Sequence, residues 1–175
     1  MRVLQINTVF GRGSTGNIVA EIQKVCEENS IDTLAAYRYH DKNTARADKT
    51  LAVSTWFDYH VHNRLFLITM LQGCFSRFRT YLFLKKVDNF SPNIIHLHNI
   101  HGSYINHGML FQYIKKRNIP VIWTLHDCWS FTGYCPYFTL KKCDRWKTGC
   151  GHCPNKKLYS ETIFDNSRLM YKGHL

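Results

Sequence analysis

The sequence predicts an α/β domain: a Rossmann-like parallel sheet with helices on both faces, interrupted by a Cys-rich loop insertion. Three observations predict it. Short, continuous apolar runs alternate with segments of helical period, as expected for strands buried between two layers of helices. A glycine-rich turn separates the first strand from the first helix. Residues 126–155 then break this rhythm and hold five of the seven cysteines.

The elements follow in order. Arg2 to Asn7 alternates and is rich in branched residues, as a first strand does. Ile18, Ile22 and Val25 recur at helical spacing behind the glycine turn, which predicts a helix over 17–26. Thr33–Tyr37 reads as a second strand, the polar run from His40 to Thr50 as a loop, and Leu51–Val53 as a short third strand. A long helical region over 57–90, broken near Gly73, ends at Ser91-Pro92-Asn93, which is good stop chemistry. Ile94–His98 and Val121–Leu125 read as buried strands on either side of a helix over 105–116. A polar tail follows, and no internal repeat is present.

Composition narrows the functional classes. Apolar residues make up 45% of the 175, enough for one sizeable core and against global disorder. The first residues run straight into the glycine turn without a signal-peptide h-region. No uncharged run approaches the roughly 18 apolar residues of a spanning helix. A cytoplasmic protein is expected. A net charge of +11 implies an acidic partner: a phosphate-bearing substrate, an anionic membrane surface or nucleic acid.

Gly11, Gly13, Ser14, Thr15 and Gly16 form the turn. Glycines there let backbone approach a ligand, and the amino terminus of the helix presents N–H groups to an anion. Ser14 or Thr15 is placed to cap that helix. The spacing matches G-x-G-x-x-G, but no acidic residue ends the second strand. Asp41, in the following loop, keeps a dinucleotide reading open. The lysine of a Walker motif is missing. A phosphate or sugar contact is preferred over a bare turn.

His96, His98, Asn99 and His101 cluster at the carboxyl end of one predicted strand, and His126-Asp127 occupies the same place on the next. In open α/β sheets ligands bind at that edge. His96 and His98 share a strand face, so one side of a crevice carries two imidazoles, which donate to hydroxyls or phosphate oxygens. Packing is the competing role for each histidine, least so for His126, which ends a strand before irregular chain. Asp127 is placed to orient that imidazole or brace the loop.

Cys150-Gly151-His152-Cys153 is a C-x-x-C half-site for structural zinc, with Cys135 and Cys143 as the other half and Cys128 or His152 as substitutes. Such an ion would staple a loop too poor in apolar residues to order itself. Buried thiols, disulfides in an exported protein and an iron–sulfur cluster are the competing readings. From Trp56 to Lys86, apolar residues interleave with Arg64, Arg77, Arg79, Lys85 and Lys86. That pattern suits a helix resting on an anionic membrane, or equally a core helix with a solvated basic side. A second basic patch surrounds the cysteines. No nucleic-acid motif accompanies it, and nucleic acid is not expected as a partner.

Three blocks carry a family resemblance. They are Val3–Asn7 with Gly11–Gly16, Asn93–Gly102, and Trp123–Gly133 continuing through Cys143–Cys150 to Cys153-Pro154. Together they resemble the amino-terminal domain of retaining GT-B glycosyltransferases of the large family numbered four, especially bacterial enzymes of polysaccharide assembly. The resemblance implies that residues 1–175 are the acceptor-side half of a GT-B fold. A second Rossmann-like domain, carrying paired glutamates that grip the nucleotide-sugar, is absent from the chain and expected in cis or in trans. By similarity, Gly13 to Gly16 approach the donor diphosphate and His126 touches the donor sugar. His96, His98, Asn99 and His101 shape the acceptor side. No catalytic metal is expected, and zinc would be structural.

The expected function is therefore transfer of a sugar from a nucleotide-sugar to a saccharide acceptor, lipid-linked and met at the inner face of the cell membrane, with the isolated chain inactive. A zinc-stabilised, non-catalytic module for nucleic acid or anionic membrane is the alternative. A dinucleotide-dependent oxidoreductase is the third.

Overall fold

The structure is a computed structural model, and it describes residues 1–39, 48–159 and 161–171. The predicted loop from residue 40, with Asp41, lies outside the described residues except at its last positions. Five strands form one wholly parallel sheet in the order β3-β2-β1-β4-β5. They are β1 (Arg2–Ile6), β2 (Asp32–Tyr37), β3 (Thr50–Ala52), β4 (Ile94–Leu97) and β5 (Val121–Trp123). Helix α1 (Gly13–Glu28) joins β1 to β2, α2 (Trp56–Thr69) and α3 (Arg77–Phe90) lead to β4, and α4 (His107–Arg117) leads to β5.

Register sorts the side chains. Gln5 sits opposite Ala35 and His96, while Leu4 sits opposite Leu34 and Ile95. The Leu4 face, with Ile6, Ile95 and Leu97, packs against Phe83, Leu84 and Val87 of α3 and Leu110 and Ile114 of α4 to make the main core. On the opposite face Val19 of α1 packs with Phe10, Ala35 and Tyr37. Helices thus cover both faces, because α1 crosses from β1 towards one edge and α4 crosses from β4 towards the other.

Helix α1 forms as the spacing predicts, but two burial patterns are not those of the apolar runs. Ile18 and Val25 of α1 are 41% and 54% exposed, and Val19 and Gln23 are buried instead. Gly16 packs closely here: a Cβ on it would stand 3.0 Å from a Val9 methyl group and 3.4 Å from the Gly11 nitrogen. The buried Gln5 side chain then donates to the Val19 carbonyl at 3.1 Å. Secondly, β5 is an edge strand rather than a buried one, with Ile122 54% exposed. An apolar run is buried only where a layer lies over it, and α1 covers β1 and β2 on the face that Ile122 shares with His96.

The Cys-rich segment carries three 3-10 turns, Trp129–Phe131, Phe138–Lys141 and Arg145–Lys147, and then α5 (Lys156–Tyr159). It is not short of apolar contacts, contrary to expectation. Trp129 enters the main core, Tyr134 and Cys135 pack on Phe66 of α2 and on Met70 just after it, and the rings of Phe131, Phe138 and Trp146 pack together. The following stretch is bound to α2 as well, through Ile163 N–H to the Leu67 carbonyl and Phe164 N–H to the Ile68 carbonyl.

Candidate functional site

Because the strands are parallel, the loops leaving β1, β4 and β5 emerge at one edge, with β4 in the middle. Side chains that end β1 tie the first two loops together. The Asn7 amide donates to the Val9 carbonyl and, at 3.4 Å, to the Thr15 hydroxyl, while its oxygen accepts the Asn99 backbone N–H at 3.2 Å. The Thr8 hydroxyl lies 2.8 Å from the Asn99 carbonyl and 2.7 Å from that of His101, donating to one at a time. Gly102 leaves just enough space for the Thr8 methyl group.

The glycine turn opens on this shelf. Gly11 and Gly13 have φ of 60° and 62°, a left-handed backbone that glycine adopts freely. The chain enters α1 through Arg12, whose side chain makes no cap. Ser14 and Thr15 therefore do not cap the helix as expected. The glycine at 13 lets the helix begin before them, so both lie within its first turn. Ser14 is exposed, Thr15 is half-buried, and Gly16 is buried against Val9.

The β4 loop is tied to the β5 loop by its histidines. His96 Nε2 lies 2.8 Å from the Thr124 hydroxyl, and His98 Nδ1 lies 3.0 Å from His126 Nε2. The His96 and His98 rings sit 4.1 Å apart, and those of His98 and His126 are stacked at 5.3 Å. His98 is fully buried while His126 is half-exposed. Asp127 does not touch His126. Its carboxylate bonds His101 Nε2 at 2.9 Å and accepts the Trp129 N–H at 2.8 Å, so it braces the loop. Burial would raise its pKa, but the hydrogen bond and charge of His101 outweigh that and hold it below the usual carboxylate range.

Burial pulls His98 down to about 3, with the neighbouring His96 and His126 adding to the effect, and burial followed by His126 lowers His96. His96 and His98 are thus biased towards their uncharged forms and Asp127 towards its carboxylate. Sequence reasoning missed Asn7, Thr8 and Thr124, the residues that join its parts. The available signal was a polar residue ending each apolar strand, where a backbone ladder stops and a side chain takes over.

Of the candidate metal ligands, Cys135, Cys143, Cys150 and Cys153 line one cavity of about 10 Å³, walled by Tyr134, Phe138 and Trp146. Cys128 and His152 do not line it. All seven cysteines are free thiols, and Cys150 Sγ accepts the Gly133 N–H at 3.3 Å. Among the described residues no three His, Cys, Asp or Glu side chains already converge as a metal shell.

The fold is that of an α/β domain with a Rossmann-like parallel sheet. The chain is similar to a protein of Escherichia coli (strain K12), "Putative colanic acid biosynthesis glycosyl transferase WcaC", with 31% identity over 87 residues. The match covers 47% of this chain and 21% of that protein, so it spans about a fifth of the relative's length. No family model matches the chain, and no solved structure does.

His62, lowered by burial to about 4, joins His98 in making stability depend on acid. Both pKa values fall below the ordinary 6.5, so unfolding takes up protons. Their contribution is complete above pH 6.5 and is lost as pH falls, towards about 4 for His62 and about 3 for His98. Urea midpoints are expected to hold steady above that window and drop within it. His62→Asn should flatten the drop, and an unchanged slope would remove His62 from the account.

Proposed function

We propose that this chain is the acceptor-side half of a retaining GT-B glycosyltransferase, moving a sugar from a nucleotide-sugar to a saccharide in cell-surface polysaccharide synthesis. The single observation that carries the reading is the hydrogen-bonded line from Thr15 through Asn7 and Asn99 to the loop whose His98 meets His126. It links the first turn of α1 to the loop that meets His126, which supports reading the two as one site. Similarity to the colanic acid relative supports the same class.

In this reading the first turn of α1, at Gly13, Ser14 and Thr15, faces the donor diphosphate, where backbone N–H groups and the helix dipole favour negative charge. His126 donates to an oxygen of the donor sugar. His96, His98, Asn99 and His101 line the acceptor side, and Asp127 holds His101. Catalysis comes mainly from donors fixed where charge develops. A second Rossmann-like domain holds the nucleotide in this reading.

UDP-glucose and GDP-mannose titrated into the labelled chain should shift the amides of Gly13 and Thr15 and the His126 ring. Shifts confined to other surfaces would overturn the reading. With the complementary domain supplied, His126→Ala should lower kcat on the order of 10²-fold. The product should keep the anomeric configuration of the donor.

A lipid-linked acceptor is supported by α2. Phe57, Val61, Leu65 and Ile68, one helical stripe, are each at least 37% exposed, beside the exposed Arg64. No helix among the described residues is long and apolar enough to cross a membrane. The stripe instead suits an anionic membrane surface, with apolar side chains at the interface and the cation at the headgroups. The chain should sediment with phosphatidylglycerol vesicles in low salt and not with phosphatidylcholine vesicles. Phe57→Ser with Leu65→Ser should release it, and equal sedimentation of that variant would exclude the stripe.

We also propose a structural zinc held by Cys135, Cys143, Cys150 and Cys153. Their common cavity is close to the smallest that admits one small occupant. The thiols would close on the ion as thiolates, and Cys150 keeps its Gly133 N–H bond. Reduced protein should carry about one zinc per chain. Cys150→Ser should lose it and Cys128→Ser should retain it, whereas metal-free, folded, reduced protein would end the proposal.

A further inference from the structure

The contact between His98 and His126 joins two ring nitrogens at 3.0 Å, so one must carry a proton and the other a lone pair. If both rings were protonated, both nitrogens would be donors and the contact would be lost. Burial keeps His98 neutral, which leaves two arrangements.

They differ in what they do to the far nitrogen of His98. His98 Nε2 is shut off from water and has no hydrogen-bond partner among the described residues. If His126 donated from Nε2, His98 would have to carry its proton on Nε2, burying an N–H with nothing to receive it. A buried, unpaired donor is destabilising by about 1–3 kcal/mol, and orphaned N–H groups are rarer in folded proteins than under-used acceptors. If His98 donates from Nδ1, only a bare lone pair is buried. The second arrangement is favoured.

We infer that His98 is a positioning residue that donates its Nδ1 proton to His126 Nε2 and thereby sets His126 in the tautomer carrying its proton on Nδ1. No protein group among the described residues bonds His126 Nδ1. The half-exposed ring therefore presents an uncharged N–H donor to the shelf, suited to a sugar hydroxyl or a phosphate oxygen. The backbone of His98 is held on two sides. Its N–H donates to the Ile6 carbonyl at 2.9 Å, and its carbonyl accepts the Trp123 indole N–H at 3.0 Å. His96, 4.1 Å away ring to ring, bonds the Thr124 hydroxyl and supports the stack without competing for His98 Nδ1.

The role in sugar contact rests on the function proposed above, but the tautomer does not. Two-dimensional ¹H–¹⁵N spectra of the ligand-free, histidine-labelled chain at neutral pH read it directly. The expected result is a protonated Nδ1 and an unprotonated Nε2 on His126, with the same pattern on His98. His98→Asn, whose amide can donate from nearly the place of Nδ1, should keep the His126 pattern. His98→Phe should lose it and let both tautomers of His126 appear. A wild-type His126 protonated on Nε2 would overturn the inference, as would a folded His98→Phe with an unchanged His126. The wild-type spectrum decides even if the variants fail to fold. Should the tautomer be as expected while UDP-glucose leaves His126 unmoved, the donor reading fails and the positioning role of His98 stands.

Discussion

The pair of side chains that ends β1, Asn7 and Thr8, is the constraint on which the shelf depends. A parallel sheet brings strand ends to one edge but leaves the loops beyond them free to diverge. Asn7 spends one amide group on three partners in two loops, and Thr8 reaches two carbonyls of the β4 loop. Asn7 itself is completely buried, where an unmet polar group is costly. The glycine turn and the histidine loop are thus positioned together or not at all.

A similar economy holds on the far side of the shelf. Trp129 lies against the rings of His101 and His107, and its backbone N–H donates to the Asp127 carboxylate. His107 in turn fills the space over Gly73, where a Cβ would stand 1.8 Å from its ring, and bonds the Ile100 carbonyl. The break between α2 and α3, the start of α4 and the segment after β5 therefore share one packed junction. Asn106 adds to it by capping α4 with its oxygen and donating to the Cys74 and Phe75 carbonyls. The loop that carries Asp127 is held by the core.

Most of the fold was legible from the chain. Strands β1, β2 and β4 are short apolar runs next to helical segments, and the break at Gly73 was visible because left-handed backbone there calls for glycine. Less legible were the face of α1 and the depth of β5. Ile18, Ile22 and Val25 made the stronger apolar stripe, yet Val19 and Gln23 face inward, with Val19 packed on Phe10, Ala35 and Tyr37 across the sheet. In the site, the histidines were identifiable as residues at strand ends. The grouping of His98 with His126, and of His101 with Asp127, was not, because it depends on side-chain reach between loops far apart in sequence.

The sequence by itself determined the alternation of strands and helices, the glycine turn at the first crossover and the residue types available at the sheet edge. These follow from local periodicity and backbone preference, which act over a few residues. Only the tertiary structure decided that β4 lies between β1 and β5, that four of the cysteines share a cavity, and that Asp127 braces His101 rather than His126. Each of those results comes from contacts between distant segments. Burial there selects among arrangements that local pattern leaves equivalent.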